Sequence, residues 1–415
     1  MHRVLTAIAL LTASLPAGDI ALPGKKIPAI ALLPDGSELK GVMVPRYDEN
    51  HQLVGVLKSG GMTLLSAREI AGKRISIEFF NPDQTPRGRI DLASAIFDQE
   101  KGLLAATEPV EIVTPRLSAR GSGLHYSFTQ GRGYLTGPAT TTLQNPTETT
   151  MNSPFQPLRA AALLGLTVLP LAAAPPPEIS SAEKAALRAD AVTRAPQAAA
   201  GMATAKDLLA TDLADADAAS RAATSFLVQA SIPPPAASVV PPAQPLDVKP
   251  GPADTVIHCE GGMYFDSDEG VLVYLKNVTV KDPRFNLSGA DELKIFLGKK
   301  PAAPDTKTTA AADGKPGIGA NFGDVERIVA NGVIKLDQKA VAGKDPIQAS
   351  AAVFSYNVKQ DLILLSGGYP WVIQGKQAFR ATQPNLVLRL SPKTGEMRTE
   401  GAWDTILNLE QKPKP

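Results

Sequence analysis

The sequence predicts a mainly β protein: two β modules joined by an Ala/Pro-rich linker that is partly helical or disordered. Three observations predict it. Short apolar or alternating runs separated by Gly, Pro, Asp and Asn fill residues 27–143, the spacing of an all-β layered or barrel-like module. The same pattern returns from 256 to 409. Between them, 175–252 is dominated by alanine and proline with interspersed charge, a composition that builds no core of its own.

Arg3, an apolar run over 4–15 and Ala17-Gly18 at a cleavage-like point predict a signal peptide or signal anchor over 1–18. The first module follows over 19–150, with "ELKGVMV", "LVGVLK", "MTLLSA" and "RISIEFF" as strands. Residues 151–174 repeat the signal layout, with Met151, Arg159 and a mostly apolar run over 160–174. That run is shorter than the ~20 residues of a span, and Pro170 interrupts it. A relic leader or peripheral segment is therefore preferred to a transmembrane helix. In the linker, 175–252, alanine favours helix over 182–193 and 203–230. "IPPPAASVVPPAQPLDVKPGP" is extended, and the whole is expected to be a solvated tether rather than a docked element. The second module covers 253–410, interrupted by an exposed, breaker-rich loop at 298–319.

The formal net charge is +1, so no global field recruits nucleic acid. No basic patch is interleaved with aromatics either. Cys259 is the one cysteine; it excludes an internal disulfide or Cys-rich zinc site, and a half-buried packing role is expected. His2, His51, His125 and His258 lack partners at ligand spacing, so no metal and no cofactor is expected. Asp266, Asp268 and Asp282 lie in turns, where backbone hydrogen bonding explains them. "GRG" (131–133) and "GKPGIG" (314–319) are turn glycines with no following helix. No catalytic constellation is present, and the chain reads as non-enzymatic.

Four stretches share one layout: "AIFDQEKGLLAATEPVEIV" from Ala95, "LHYSFTQGRGYLTGPATTT" from Leu124, "MYFDSDEGVLVYLKNVTV" from Met263 and "VFSYNVKQDLILLSGGYPWVI" from Val353. Each is an aromatic-bearing strand, a polar turn, a second strand, a break and a third run. A hairpin with a return strand cannot cover its own apolar face, so stacked copies share an interior.

The ordered series "GGMYFDSDEGVLVYLKNVTVKDPRFNLSGADELKIF", "IVANGVIKL" and "ASAAVFSYNVKQDLILLSGGYPWVIQG" resembles the OstA-like periplasmic proteins of lipopolysaccharide transport, in particular the A bridge component. The resemblance covers about 150 residues of the second module. The family's "GNV" stands here as Lys276-Asn277-Val278. "ASAIFDQEKGLLAATEPVEIV" and "GSGLHYSFTQGRGYLTGPATTTL" more weakly resemble the C component, an inner-membrane-anchored jellyroll. Through Leu124, Tyr126, Leu135, Gly137 and Pro138 they match its closing pattern.

The resemblance implies two OstA-like β-jellyrolls in the periplasm, with the N-terminal or mid-chain apolar segment as an inner-membrane anchor. It further implies a lipopolysaccharide or related glycolipid cargo, an inner-membrane transporter and an outer-membrane receiver as partners, and self or homologous jellyrolls joined by edge-strand pairing. Strand alternation places Val278, Val280, Phe285, Leu287, Leu293, Ile295 and Leu297 on one face, joined by Ile334, Leu336, Leu364, Trp371 and Ile373. These are the candidate lipid-binding residues. An apolar cleft takes up acyl chains at ~0.8 kcal/mol per buried methylene. Three alternatives stand beside this reading: an envelope scaffold that binds jellyrolls through edge strands without carrying lipid, a carbohydrate-active enzyme with paired acids in a groove, and two reading frames joined near Met151.

Overall fold

The structure, a computed structural model, describes residues 33–47, 51–81, 83–144, 207–230, 251–267, 269–298, 324–340 and 343–407. Both signal-like segments, the 182–193 helix expectation and nearly all of the 298–319 loop lie outside these residues. Within them the chain is mainly β. A meander of long strands opens it: β1 (Glu38–Tyr47), β2 (Leu53–Leu64), β3 (Glu69–Phe80) and β4 (Pro86–Asp98). Short strands follow: β5 (Leu103–Ala106), β6 (Val110–Val113), β7 (Leu117–Gly121), β8 (Gly123–Ser127), β9 (Arg132–Thr136) and β10 (Ala139–Leu143). After a helix, α1 (Asp207–Gln229), come β11 (Thr255–Cys259), β12 (Gly262–Asp266), β13 (Val271–Lys281), β14 (Phe285–Leu297), β15 (Val325–Gln338) and β16 (Ile347–Asn357). The chain closes with β17 (Leu362–Ser366), β18 (Trp371–Gln374), β19 (Gln377–Ala381), β20 (Val387–Leu390), β21 (Met397–Thr399) and β22 (Trp403–Leu407).

All pairings are antiparallel, and the long strands each serve two layers. At β4 the sheet divides: residues 96–98 pair with β5 and 89–92 with β6. One layer runs β5–β8–β9–β12, the other β6–β7–β10–β11. Both rejoin on β13, whose residues 271–275 hold β12 and 279–281 hold β11. After β14 and β15 the sheet divides again at β16, into β17–β20–β21 and β18–β19–β22. The four repeat units of the sequence fall on β4–β5–β6, β8–β9–β10, β12–β13 and β16–β17–β18.

A strand shared by two layers must bend between its halves. In β13 the bend is at Lys276 and Asn277, with φ of 61° and 49°, a left-handed conformation that glycine adopts most freely. The resemblance places glycine where Lys276 stands. Here Asn277 Nδ2 donates to Glu260 Oε1 at 2.8 Å and holds the bend. The neighbouring bend on β14 uses Gly289, where a Cβ would stand 2.2 Å from the Val333 carbonyl oxygen. The same geometry corrects one reading of the sequence. "LVGVLK" and "MTLLSA" are not two strands parted by "SGG" but one, β2, bending there, with Ser59 Oγ donating to the Gly61 carbonyl at 2.8 Å.

The two strand-rich regions of the chain are joined edge to edge. β9 pairs with β12 and β10 with β11, in register from Arg132↔Asp266 to Thr136↔Gly262 and from Ala139↔Cys259 to Leu143↔Thr255. The seam is shaped for this partner. Gly133 lies beneath Phe265, whose ring would be 2.2 Å from a Cβ there. Tyr134 donates its hydroxyl to the Gly261 carbonyl, and Arg132 pairs with the buried Asp266 at 2.7 Å. Tyr126 and Phe265 stack across the join with centroids 6.0 Å apart. One apolar cluster therefore continues from Ile75 through the seam to Leu390.

The expectation of a solvated tether does not hold for 207–229. This segment is helical as read, but it is docked. Leu209, Ala216, Ala219, Ala223 and Phe226 form a buried stripe at the three- and four-residue spacing of one helix face. The stripe lies on the outer surface of the β5–β8–β9–β12 layer and its continuation. Leu209 packs on Leu364 and Val387, Leu213 on Ala352 and Val353, and Phe226 on Tyr134, Tyr264 and Val273. From Leu209 to Phe226 the helix rises ~26 Å, close to the ~29 Å spanned by six strand spacings from β17 to β9. It crosses the C-terminal strands and ends on the seam. Its polar residues are also engaged. Arg327 reaches Asp212 at 2.6 Å and Asp215 at 2.5 Å, and Ser220 donates to Glu292 at 2.7 Å.

Candidate functional site

The interior between the two layers is the candidate site. Val278, Val280, Phe285, Leu287, Leu293, Ile295, Leu297, Ile334 and Leu336 all lie in it, none more than 7% exposed. Leu364 does not join them: it faces outward, under α1. Trp371 and Ile373 form a separate cluster with Ala378, while Val372 between them turns into the interior. Sequence alternation could not resolve these three positions, because strands covered on both faces are apolar on both.

The C-terminal half of the interior is closed by a polar plug. Asp282 accepts from Thr255 Oγ1 at 2.6 Å, from the Arg284 backbone N–H at 3.0 Å and from Arg284 Nε at 2.8 Å. Arg284 also donates to the Tyr356 hydroxyl at 2.7 Å, and Lys339 Nζ donates to the Asp282 carbonyl at 2.8 Å. Burial alone would push the Asp282 carboxyl up, yet the hydrogen bonds and charge of Arg284, with Thr255, hold it below its ordinary value. Burial pushes the Tyr356 phenol up to about 12. Phe285 sits edge-on to Tyr356 at 5.7 Å, directly beneath the plug.

The N-terminal half is more open. No residue of β1 is fully buried. Leu33, Leu39, Val42, Leu57 and Phe97 are half-buried over Met62, Leu64 and Ile70. Here lie two residues that the sequence reading missed, Arg46 and Arg87. Arg46 is in register with Gly55, Gly55 with Phe79 and Phe79 with Gly88. The row shares the interior face, since Phe79 belongs to the interior cluster. Arg87 is the extra residue where the β3–β4 register shifts, and a bulge of this kind re-aims a side chain. Its guanidinium lies over the Phe79 ring, 5.9 Å from the centroid. Burial lowers the Arg46 pKa, with the Tyr126 phenol opposing. Burial lowers that of Arg87 too, again opposed by Tyr126 and reinforced by Arg46. Among the described residues no carboxylate acts on either. A hollow of about 510 Å³ opens at the same end, lined by Phe79, Phe80, Pro86, Gly88, Val113 and Pro115 among others.

The remaining titratable groups have structural settings. Cys259 is fully buried rather than half-buried. Its thiol contacts the Gly262 carbonyl at 3.2 Å, and burial pushes its pKa up to about 11. His125 faces away from Tyr126, and burial lowers its pKa. Among the described residues no group of three His, Cys, Asp or Glu is placed to hold a metal ion. No described helix is long and apolar enough to cross a membrane.

No protein-family model matches the sequence, and no curated protein does. Among solved structures the chain is similar to LptH of Pseudomonas aeruginosa, the LptA-homologous periplasmic component of that organism's lipopolysaccharide transport device. The identity is 16% and the TM-score 0.28, with 37% of this chain and 95% of that chain covered.

Proposed function

We propose that this protein is a non-catalytic periplasmic carrier that takes the acyl chains of lipopolysaccharide or a similar glycolipid between its two layers and passes the lipid from the inner toward the outer membrane. The single observation that carries this reading is the unbroken apolar interior through both halves and across the seam. The OstA-like motifs of the sequence supply the cargo class. Acyl chains enter at the β1–β4 end, where the lining is half-buried. Val278, Val280, Phe285, Leu287, Leu293, Ile295, Leu297, Ile334 and Leu336 form the continuation that an advancing chain meets as the layers part. Leu364, Trp371 and Ile373 contribute from outside the interior. The partners under this reading are an inner-membrane transporter and an outer-membrane receiver, met through the two free ends of the sheet.

Those ends also support the scaffold reading. Among the described residues β1 pairs on one side only, with β2, and exposes Met43 and Tyr47, 64% and 53% accessible; such an edge invites strand addition from another jellyroll. Native mass spectrometry of the full chain purified from envelope extract separates the two. Co-purifying acyl lipid, depleted when Val42 is replaced by Asp, supports the carrier. Protein that is reproducibly lipid-free yet still assembles with other jellyrolls supports the scaffold.

A further inference from the structure

The carrier reading does not say how the charged end of an amphiphile is held, and the N-terminal mouth does. We propose that Arg46 and Arg87 form a binding site for the phosphate end of an anionic amphiphile, with Phe79 as its floor.

Three features of the structure meet at this place. First, both guanidinium groups sit on the interior side, at the two ends of the row Arg46–Gly55–Phe79–Gly88. The outer strands of that row are ~14 Å apart, so two long side chains leaning inward meet over its middle. Gly55 and Gly88 flank Phe79 with no side chain, and this leaves the space above the ring to the arginines. Second, the Arg87 Nε is fully buried and has no hydrogen-bond partner. Third, among the described residues the groups acting on the pair are the Tyr126 phenol and, on Arg87, the Arg46 guanidinium, with no acid among them. An arginine stays protonated at any physiological pH. Two like charges drawn partly out of water with no described acid between them call for a counterion. A phosphate supplies it, because the guanidinium fork matches phosphate oxygens in bidentate geometry.

The same chain shows what an arginine at an interior tyrosine looks like when it is structural. Arg284 stacks on Tyr356, 5.3 Å from the ring centroid, with Asp282 as its counterion. At the N-terminal mouth the tyrosine and arginines are present, and no carboxylate among the described residues joins them. The acyl part of the ligand then runs over Val42, Leu57 and Phe97, already half-buried beside this mouth. This placement rests on the carrier reading; the anion site itself does not.

The test titrates the full chain with three probes: dioctanoyl phosphatidic acid, the neutral dioctanoylglycerol, and inorganic phosphate. Wild type is compared with Arg46→Gln/Arg87→Gln, with Arg46→Lys/Arg87→Lys, and with Arg68→Gln, an exposed arginine paired to Glu100. Calorimetry reads affinity, and thermal melting checks the fold. The expected result is phosphatidic acid binding roughly tenfold or more tighter than the neutral lipid, from charge-assisted hydrogen bonds. That preference is lost in the Gln pair, largely kept in the Lys pair and unchanged in Arg68→Gln. If neither lipid binds but inorganic phosphate binds in an Arg-dependent way, the anion site stands, free phosphate is its source, and the carrier reading fails. A preference for phosphatidic acid that survives in the Gln pair overturns the site, as does the absence of phosphate and phosphatidic acid binding together.

Discussion

The two halves of the molecule are built from the same repeat unit and differ in how they treat charge inside it. The C-terminal half places Arg284 beside Tyr356 and neutralises it with Asp282, Thr255 and a backbone N–H. Each of its strands β13 to β16 carries a run of fully buried residues, and β16 is buried on both faces because α1 covers it. The N-terminal half places Arg46 and Arg87 beside Tyr126 with no acid among the described residues, on a meander whose first strand has no fully buried residue. One half is a folded core with its inner charge paired. The other is charged and only half-covered at its β1–β4 end.

The comparison breaks most sharply on arginine substitutions of opposite expected effect. Arg284→Gln strips a buried carboxylate of its partner, and equilibrium urea unfolding should show a loss of about 3 kcal/mol. Arg87→Gln removes a cation that has no carboxylate partner among the described residues. Its effect should stay within about 1 kcal/mol of zero or stabilise. Similar losses in both variants would mean that the two halves hold their arginines alike.

A second substitution addresses whether the halves act as one body. Gly133→Val drives a side chain into the Phe265 ring at the seam, where overpacking costs about 1–3 kcal/mol or more. Calorimetry should show the single transition of the wild type separating into two, with the N-terminal half melting first. One sharp transition at lowered temperature would show that the seam tolerates the insertion.

The helix sharpens the contrast further. Phe226→Ala empties its contact with Tyr134, Tyr264 and Val273. Truncating a buried Phe costs about 3 kcal/mol when the cavity persists; α1 can lift from the sheet instead, so about 2 kcal/mol is expected here. Hydrogen exchange should quicken in β12, β13 and β16 and stay unchanged in β1 to β3. Quickening spread evenly over both halves would deny the helix its one-sided role.

The smallest effects follow pH. The folded pKa of Asp282 is lowered, so its contribution is present above the unfolded value near 3.8 and is lost as pH falls through the folded value. Arg284→Gln should flatten this acid step. The folded pKa of His125 is also lowered, by burial. Its neutral form is favoured on folding, so its contribution is complete above the unfolded value near 6.5 and fades as pH drops below it. His125→Gln should remove that mild slope between pH 6.5 and 5 from the melting-temperature profile.

Much of this architecture was readable in the chain itself. The alternation and breakers gave the strands, and the four aromatic hairpin units fall where the layers divide. Nine of the twelve candidate residues line one interior, because period-two alternation is a local property that each strand carries alone. The breakers were misread in one respect. "SGG" and "KN" mark bends within strands, since a left-handed or side-chain-free residue turns a strand over a corner as readily as it ends one.

The docking of α1 was hidden by composition: Ala216, Ala219 and Ala223 form a buried stripe from residues that also fill solvated tethers, and only the height of Tyr264 and Val273 opposite makes small residues fit. Arg46 and Arg87 were equally hidden. Surface strands carry arginines in plenty, and it took a one-residue register shift to turn Arg87 inward. The sequence by itself determined which segments extend and which side of each is apolar, because these follow from neighbours along the chain. Tertiary structure alone decided which edge meets which, what the helix covers and which charges go unanswered, because these depend on residues hundreds of positions apart arriving at the same place.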